Sequence, residues 1–125
     1  MTKETEMGII VLGHGSRAEK AREVFNELVD KLADKLADKR VGGAAMELAS
    51  PTLPEKVSHF ASQGIKKIVI LPLFLYPGIH VQEDIPAQIA ALEEEYPEIE
   101  FILADILGTD DKLVDIMIEK FEEVK

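Results

Sequence analysis

Apolar residues fall into short runs separated by longer amphipathic stretches. Ile9-Ile10-Val11-Leu12 lies in a strand predicted over residues 7–12, and Ile68-Val69-Ile70-Leu71-Pro72-Leu73-Phe74-Leu75 in one over residues 67–75. Both runs are short and rich in β-branched residues, the pattern of buried parallel strands. Between them Val24, Phe25, Leu28, Leu32 and Leu36 share a helical stripe. They predict a helix that runs to about Arg40 and opens on a Ser16–Glu19 capping box. Leu32-Ala33-Asp34-Lys35 recurs as Leu36-Ala37-Asp38-Lys39, which reads as helix-forming sequence with its charges outward. Gly42-Gly43 then predict a break, and residues 44–49 a second strand containing Glu47. Thr52 with Glu55, and Pro54 in the first turn, predict a second helix that closes on Gly64. Residues 76–83 read as a loop or a loosely wound entry to a third helix, which starts at Asp84-Ile85-Pro86 and ends near Tyr96-Pro97. Residues 99–104 predict a fourth strand. A fourth helix from Thr109 or Asp110 should turn Leu113, Ile116, Met117 and Phe121 inward.

Strand and helix thus alternate four times. That order specifies an α/β fold: one four-stranded parallel sheet with helices on both faces and right-handed crossovers. A flavodoxin-like order 2-1-3-4 would make strands one and three neighbours. The sheet is small, so an edge is open to a partner chain. At 125 residues, with no linker visible, residues 1–125 are expected to form a single domain.

Composition narrows the function. The formal net charge of −10 excludes nucleic acid as a partner, because phosphate binding needs a basic face. No segment approaches the roughly 18 apolar residues of a membrane span. No charged-then-apolar leader is visible, and cysteine is absent, which removes disulfides, thiolate metal sites and thiol nucleophiles. A cytoplasmic location is expected.

Two histidines carry the candidate chemistry. His14 stands in Gly13-His14-Gly15-Ser16-Arg17, directly after the first apolar run, and His80 stands in Pro77-Gly78-Ile79-His80, after the third strand. Ligands of open α/β sheets bind at the carboxyl ends of strands, so both imidazoles should reach one edge. Imidazole is a common metal ligand and a base near neutral pH. The spacings of phosphate-binding loops are missing, as is the Gly-x-Ser-x-Gly of a serine nucleophile. Ser50 lies just past the second strand, where ligand contact is natural. Glu47 is either a third polar group at the crevice or a solvent-facing edge residue. Arg17 is the nearest cation to His14, and His59 reads as a surface residue of the second helix. Two histidines make an incomplete cage, suited to a metal that binds and then leaves, and they do not name the metal.

The motifs Gly13-His14-Gly15-Ser16-Arg17, Glu47-Leu48-Ala49-Ser50-Pro51-Thr52-Leu53-Pro54, Pro72 to His80 with Asp84-Ile85-Pro86, and Leu107 to Ile116 resemble, in that order, the small CbiX-type sirohydrochlorin chelatases. The short archaeal form is the most similar. The resemblance implies a chelatase α/β half-domain that works as a homodimer with the tetrapyrrole between subunits. It implies insertion of divalent cobalt or nickel, and in some relatives iron, into sirohydrochlorin, on a route to cobalamin, sirohaem or the nickel coenzyme of methanogens. The metal is then a substrate, and no tightly bound cofactor is implied. His14 and His80 would be metal ligands, and His14 also the proton acceptor. Ser50, Leu75, Tyr76, Pro77, Gly78, Ile79 and His80 would contact the macrocycle. Some relatives carry an acid at Ser50, and short forms often carry a histidine-rich insertion where this chain has Glu93-Glu94-Glu95-Tyr96-Pro97-Glu98. A carrier of metal or tetrapyrrole without turnover would use the same pocket.

Overall fold

A computed structural model describes residues 7–125, with residue 80 described by its backbone alone. In chain order the elements are β1 (Met7–Gly13), α1 (Glu19–Lys35), β2 (Arg40–Ala45), α2 (Leu53–Ser62), β3 (Lys67–Pro72), a π-helical turn (His80–Asp84), α3 (Ile85–Glu95), β4 (Glu100–Leu103) and α4 (Asp111–Val124). The four strands form one sheet in the order β2-β1-β3-β4, every pair parallel. This is the 2-1-3-4 order expected of a flavodoxin-like half-domain. β1 and β3 are neighbours, with Ile10 opposite Ile70 and Leu12 opposite Pro72.

Strand alternation divides the side chains between two faces. Gly8, Ile10, Leu12, Ile68 and Ile70 point toward α2 and α3. There they meet Leu53, Val57, Phe60, Ile85, Ile89 and Leu92 in the main core. The opposite face carries Ile9, Val11, Val69, Leu71 and Ile102. α1 covers part of it, with Phe25 and Val29 packed over β1 and β2.

Local chemistry sets the helix ends. Thr52 Oγ1 accepts from the Glu55 N–H and the Glu55 carboxylate accepts from the Thr52 N–H at 2.8 Å, the capping box expected for α2. Hydrogen bonds to the carboxyl from the Thr52 backbone and then from the Thr52 side chain hold Glu55 below its ordinary 4.5. A depressed carboxyl stabilises the fold above its unfolded value and loses that contribution as pH falls through the folded one. Thr52→Ala should cost about 1 kcal/mol in urea unfolding at neutral pH. The difference from the unaltered chain should shrink below about pH 4, where a protonated Glu55 weakens the box in both. A pH-independent difference would contradict the paired cap.

Other ends differ from expectation. Ser16 does not cap α1. Its Oγ accepts from the Ala18 N–H at 3.0 Å, and the helix starts at Glu19 with Ala18 as N-cap. Arg22 holds this turn open by donating to the carbonyls of Arg17 at 2.6 Å and Ser16 at 3.3 Å. α1 stops at Lys35, short of Arg40, and β2 begins at Arg40 rather than at 44. Gly42 and Gly43 therefore lie inside β2. A Cβ at Gly42 would fall 2.7 Å from the Lys56 side chain, and one at Gly43 would fall 2.7 Å from the Phe25 ring. The glycines admit helices to both faces of the edge strand instead of breaking the chain. β3 ends at Pro72, so Leu73–Leu75 belong to the following loop. Val24 and Leu28 do not share the buried stripe of α1, and no residue of α4 is buried. The inward direction expected for Ile116, Met117 and Phe121 is therefore not found, and Leu113 is only half-buried.

Candidate functional site

All four strands run the same way, so the chain leaves every one of them at one edge of the sheet. Backbone hydrogen bonds tie those exits together. Met46 N–H donates to Gly13 O at 2.9 Å, Glu47 N–H to His14 O at 3.1 Å and Leu73 N–H to Leu12 O at 2.8 Å. Leu107 N–H donates to Phe74 O at 2.9 Å. His14 is thus carried on a braced loop one residue past β1. Gly15 makes the brace possible. Its φ is +100°, and a Cβ there would lie 1.7 Å from Glu47 O. Only glycine accepts both conditions.

Glu47 lies past the end of β2, not within it. Its Oε1 stands 3.3 Å from His14 Nε2, with both side chains about half exposed. Glu47 thus meets the imidazole while also facing solvent, so features of both readings are present. His14 Nδ1 also stands 3.4 Å from Gly15 O, so each ring nitrogen faces an oxygen that can accept from it. If the ring is charged, so open a pair is worth at most about 1 kcal/mol. Its value is therefore orientation rather than stability.

Two clefts meet at this pair. One, of about 650 Å³, is bordered by His14, Ser16, Arg22, Asn26, Ser50 and Lys56 on the β2 side. The other, of about 270 Å³, is bordered by Met46, Glu47, Asp84, Ala87 and Gln88, beside the π-helical turn. His14 and Ser50 therefore share one cleft. The loop after β3 forms a separate part of the edge, where Leu75, Tyr76 and Ile79 are exposed. Pro77 and Gly78 are exposed beside them, and Gln82 Nε2 donates to Pro77 O, which ties this loop to the π-helical turn. The side chain of His80 lies outside the described residues. Among the described residues no group of three or more His, Cys, Asp or Glu could hold a metal. Arg17 is exposed, whereas Arg22 and Lys56 border the cleft beside His14. Sequence spacing missed those two cations, since Lys56 approaches only through the fold, alongside Gly42. His59 is an exposed residue of α2, as expected. No helix among the described residues is long and apolar enough to cross a membrane.

A parallel α/β sheet with an open imidazole–carboxylate pair and clefts at its carboxyl edge belongs to the class that receives small molecules at that edge. Residues 8–124 match the CbiX family, and the chain belongs to it. The chain is 33% identical over 115 residues to the chloroplastic sirohydrochlorin ferrochelatase of Arabidopsis thaliana, matching 92% of this chain and 51% of the plant protein. It is 32% identical over 126 residues to the sirohydrochlorin cobaltochelatase of Methanosarcina acetivorans, covering 94% of this chain and 96% of that protein. Among solved structures it is similar to a CbiX protein from Marinobacter aquaeolei VT8. The TM-score is 0.81 at 32% identity, covering 94% of this chain and 98% of the other. The chain thus spans about half of the plant relative and nearly all of the Methanosarcina one.

Proposed function

We propose that this protein is a sirohydrochlorin chelatase that inserts divalent cobalt or nickel into the macrocycle. Residues 1–125 act as one chelatase domain, in the cytoplasm, and two copies pair with the tetrapyrrole between them. The observation that carries the reading is the His14–Glu47 pair, 3.3 Å apart on an exposed edge. Relatives named cobaltochelatase favour cobalt among the metals.

Insertion of a divalent ion releases two pyrrole protons, so charge is conserved when the ion takes the place of both. In this reading His14 and His80 hold the incoming ion, which then passes to the ring nitrogens. His14 next accepts one pyrrole proton as the ion leaves it, Glu47 at Nε2 stabilises the imidazolium that forms, and the other proton passes to solvent water. The exposed apolar side chains of Leu75, Tyr76 and Ile79, with Pro77 and Gly78 beside them, offer an apolar surface to the ring, and in this reading His80 contacts the ring as well. Ser50 contacts the macrocycle from the cleft it shares with His14. Sirohydrochlorin is a polycarboxylate and the chain is acidic. Arg22 and Lys56 at that cleft offset the repulsion locally.

Incubation of the protein with sirohydrochlorin and cobalt, followed by the change in visible absorption, tests the proposal. Insertion well above the protein-free rate is expected. A rate equal to the uncatalysed one would leave a carrier rather than an enzyme.

A further inference from the structure

Leu48 combines two properties that packing within the chain does not explain. Its φ is +67°, a left-handed backbone that no other residue except glycine adopts among those described. Glycine and asparagine take up that conformation readily, whereas a bulky side chain does so rarely and at a cost. Nor is the cost recovered in the core, since Leu48 is 48% exposed. Strain of this kind persists where the surrounding structure over-determines it, and it collects at functional sites.

The surrounding structure holds Leu48 from both sides. Met46 N–H donates to Gly13 O at 2.9 Å and Glu47 N–H to His14 O at 3.1 Å. Beyond the turn, Pro51 O accepts from the Ala45 N–H at 2.9 Å. Residues 48–50 are thus the short tip of a loop pinned at each end. Along the chain, Leu48 stands between Glu47 at the imidazole and Ser50 at the larger cleft.

Strand order decides what lies across from it. β1 runs between β2 and β3, so the loop that carries His14 has the Leu48 loop on one side and residues 75–79 on the other. Leu75, Tyr76 and Ile79 are the exposed apolar side chains of that other flank. Neighbouring strands lie about 4.8 Å apart, so the two flanks are separated by about 10 Å across His14. That is the scale of a tetrapyrrole ring. The carboxylates of sirohydrochlorin lie on its rim and its faces are apolar, so a ring laid over His14 meets both flanks with one face.

We infer that Leu48 is a substrate-contacting residue, packing against the macrocycle on the β2 side of His14, opposite the apolar surface of the loop after β3. This deepens the reading of sirohydrochlorin as substrate and rests on it. The pinned, left-handed turn fixes the apolar group before the ring arrives, so little loop ordering is lost on binding.

The test is equilibrium binding of metal-free sirohydrochlorin to the full chain, followed by the visible absorption of the ring itself, which needs no turnover. Leu48→Asn removes the apolar group and suits the left-handed backbone. Its Kd should rise about five- to tenfold, the loss of one partly buried leucine against the ring, while Tm stays level or rises. Leu48→Met keeps a long apolar side chain and should bind within about threefold of the unaltered chain. The three proteins are also weighed by light scattering at the titration concentration. An unchanged Kd for Leu48→Asn would overturn the contact and leave sirohydrochlorin standing as substrate. A raised Kd accompanied by a fall in mass would do the same, since Leu48 would then join copies of the chain instead of meeting the ring. Equal losses in Leu48→Met and Leu48→Asn would also overturn it. No absorption change with the unaltered chain would overturn both readings.

Discussion

His14→Ala should slow cobalt insertion by about 10²-fold or more, because it removes both a ligand for the ion and the group that accepts a proton. The loss should fall mainly on kcat, since the apolar bed of Leu75, Tyr76 and Ile79 stays in place. Glu47→Gln should give a smaller loss. The amide keeps the contact with Nε2, 3.3 Å away in the unaltered protein, but it lacks the charge that favours imidazolium. His59→Ala, on the exposed side of α2, is the control and should leave the rate unchanged. Stopped-flow absorption at saturating sirohydrochlorin separates these outcomes. Equal rates for His14→Ala and the unaltered protein would remove His14 from the chemistry.

Gly15→Ala should cost about 3 kcal/mol, the upper range for a strained backbone position. Two penalties combine. The φ of +100° disfavours any side chain, and the new Cβ would lie 1.7 Å from Glu47 O. The loop cannot yield without stretching the bond from Glu47 N–H to His14 O, now 3.1 Å. Relief of the clash therefore displaces Glu47 from His14, so insertion should fall together with Tm. Unchanged Tm and unchanged rate would mean that the two loops are not so closely packed. Gly78→Ala is the matched control for Tm alone, since nothing lies within 4 Å of a Cβ at that glycine.

The fold was legible where local pattern and tertiary structure agree. The apolar runs at β1 and β3 and the Thr52–Glu55 box announced elements that formed close to the expected places. Legibility failed where a residue serves a distant neighbour. Gly42-Gly43 looked like a break because glycine weakens strands, and nothing local reveals that Lys56 and Phe25 need the space. Ser16 looked like a cap because its spacing to Glu19 fits one, but the carbonyls that Arg22 engages shift the start of α1. Met117 and Phe121 looked buried because amphipathic helices usually pack on their own domain.

The candidate site divides in the same way. His14 was marked by its glycines and by the apolar run before it, and Ser50 by the break after β2. The contact between His14 and Glu47 spans two strand exits that are neighbours only because β2 pairs with β1. Glu47 was visible as a candidate, but its distance to the imidazole was not.

By itself, then, the sequence determined the alternation of strands and helices, the parallel sheet and the two histidine-bearing turns. Each of these follows from short-range periodicity and backbone preference. Only the tertiary structure decided that Glu47 meets His14, that Arg22 and Lys56 border the cleft, and that α4 stands apart from its own sheet. Those are pairings between segments far apart in the chain. They are governed by strand order, register and close packing, which no local pattern encodes.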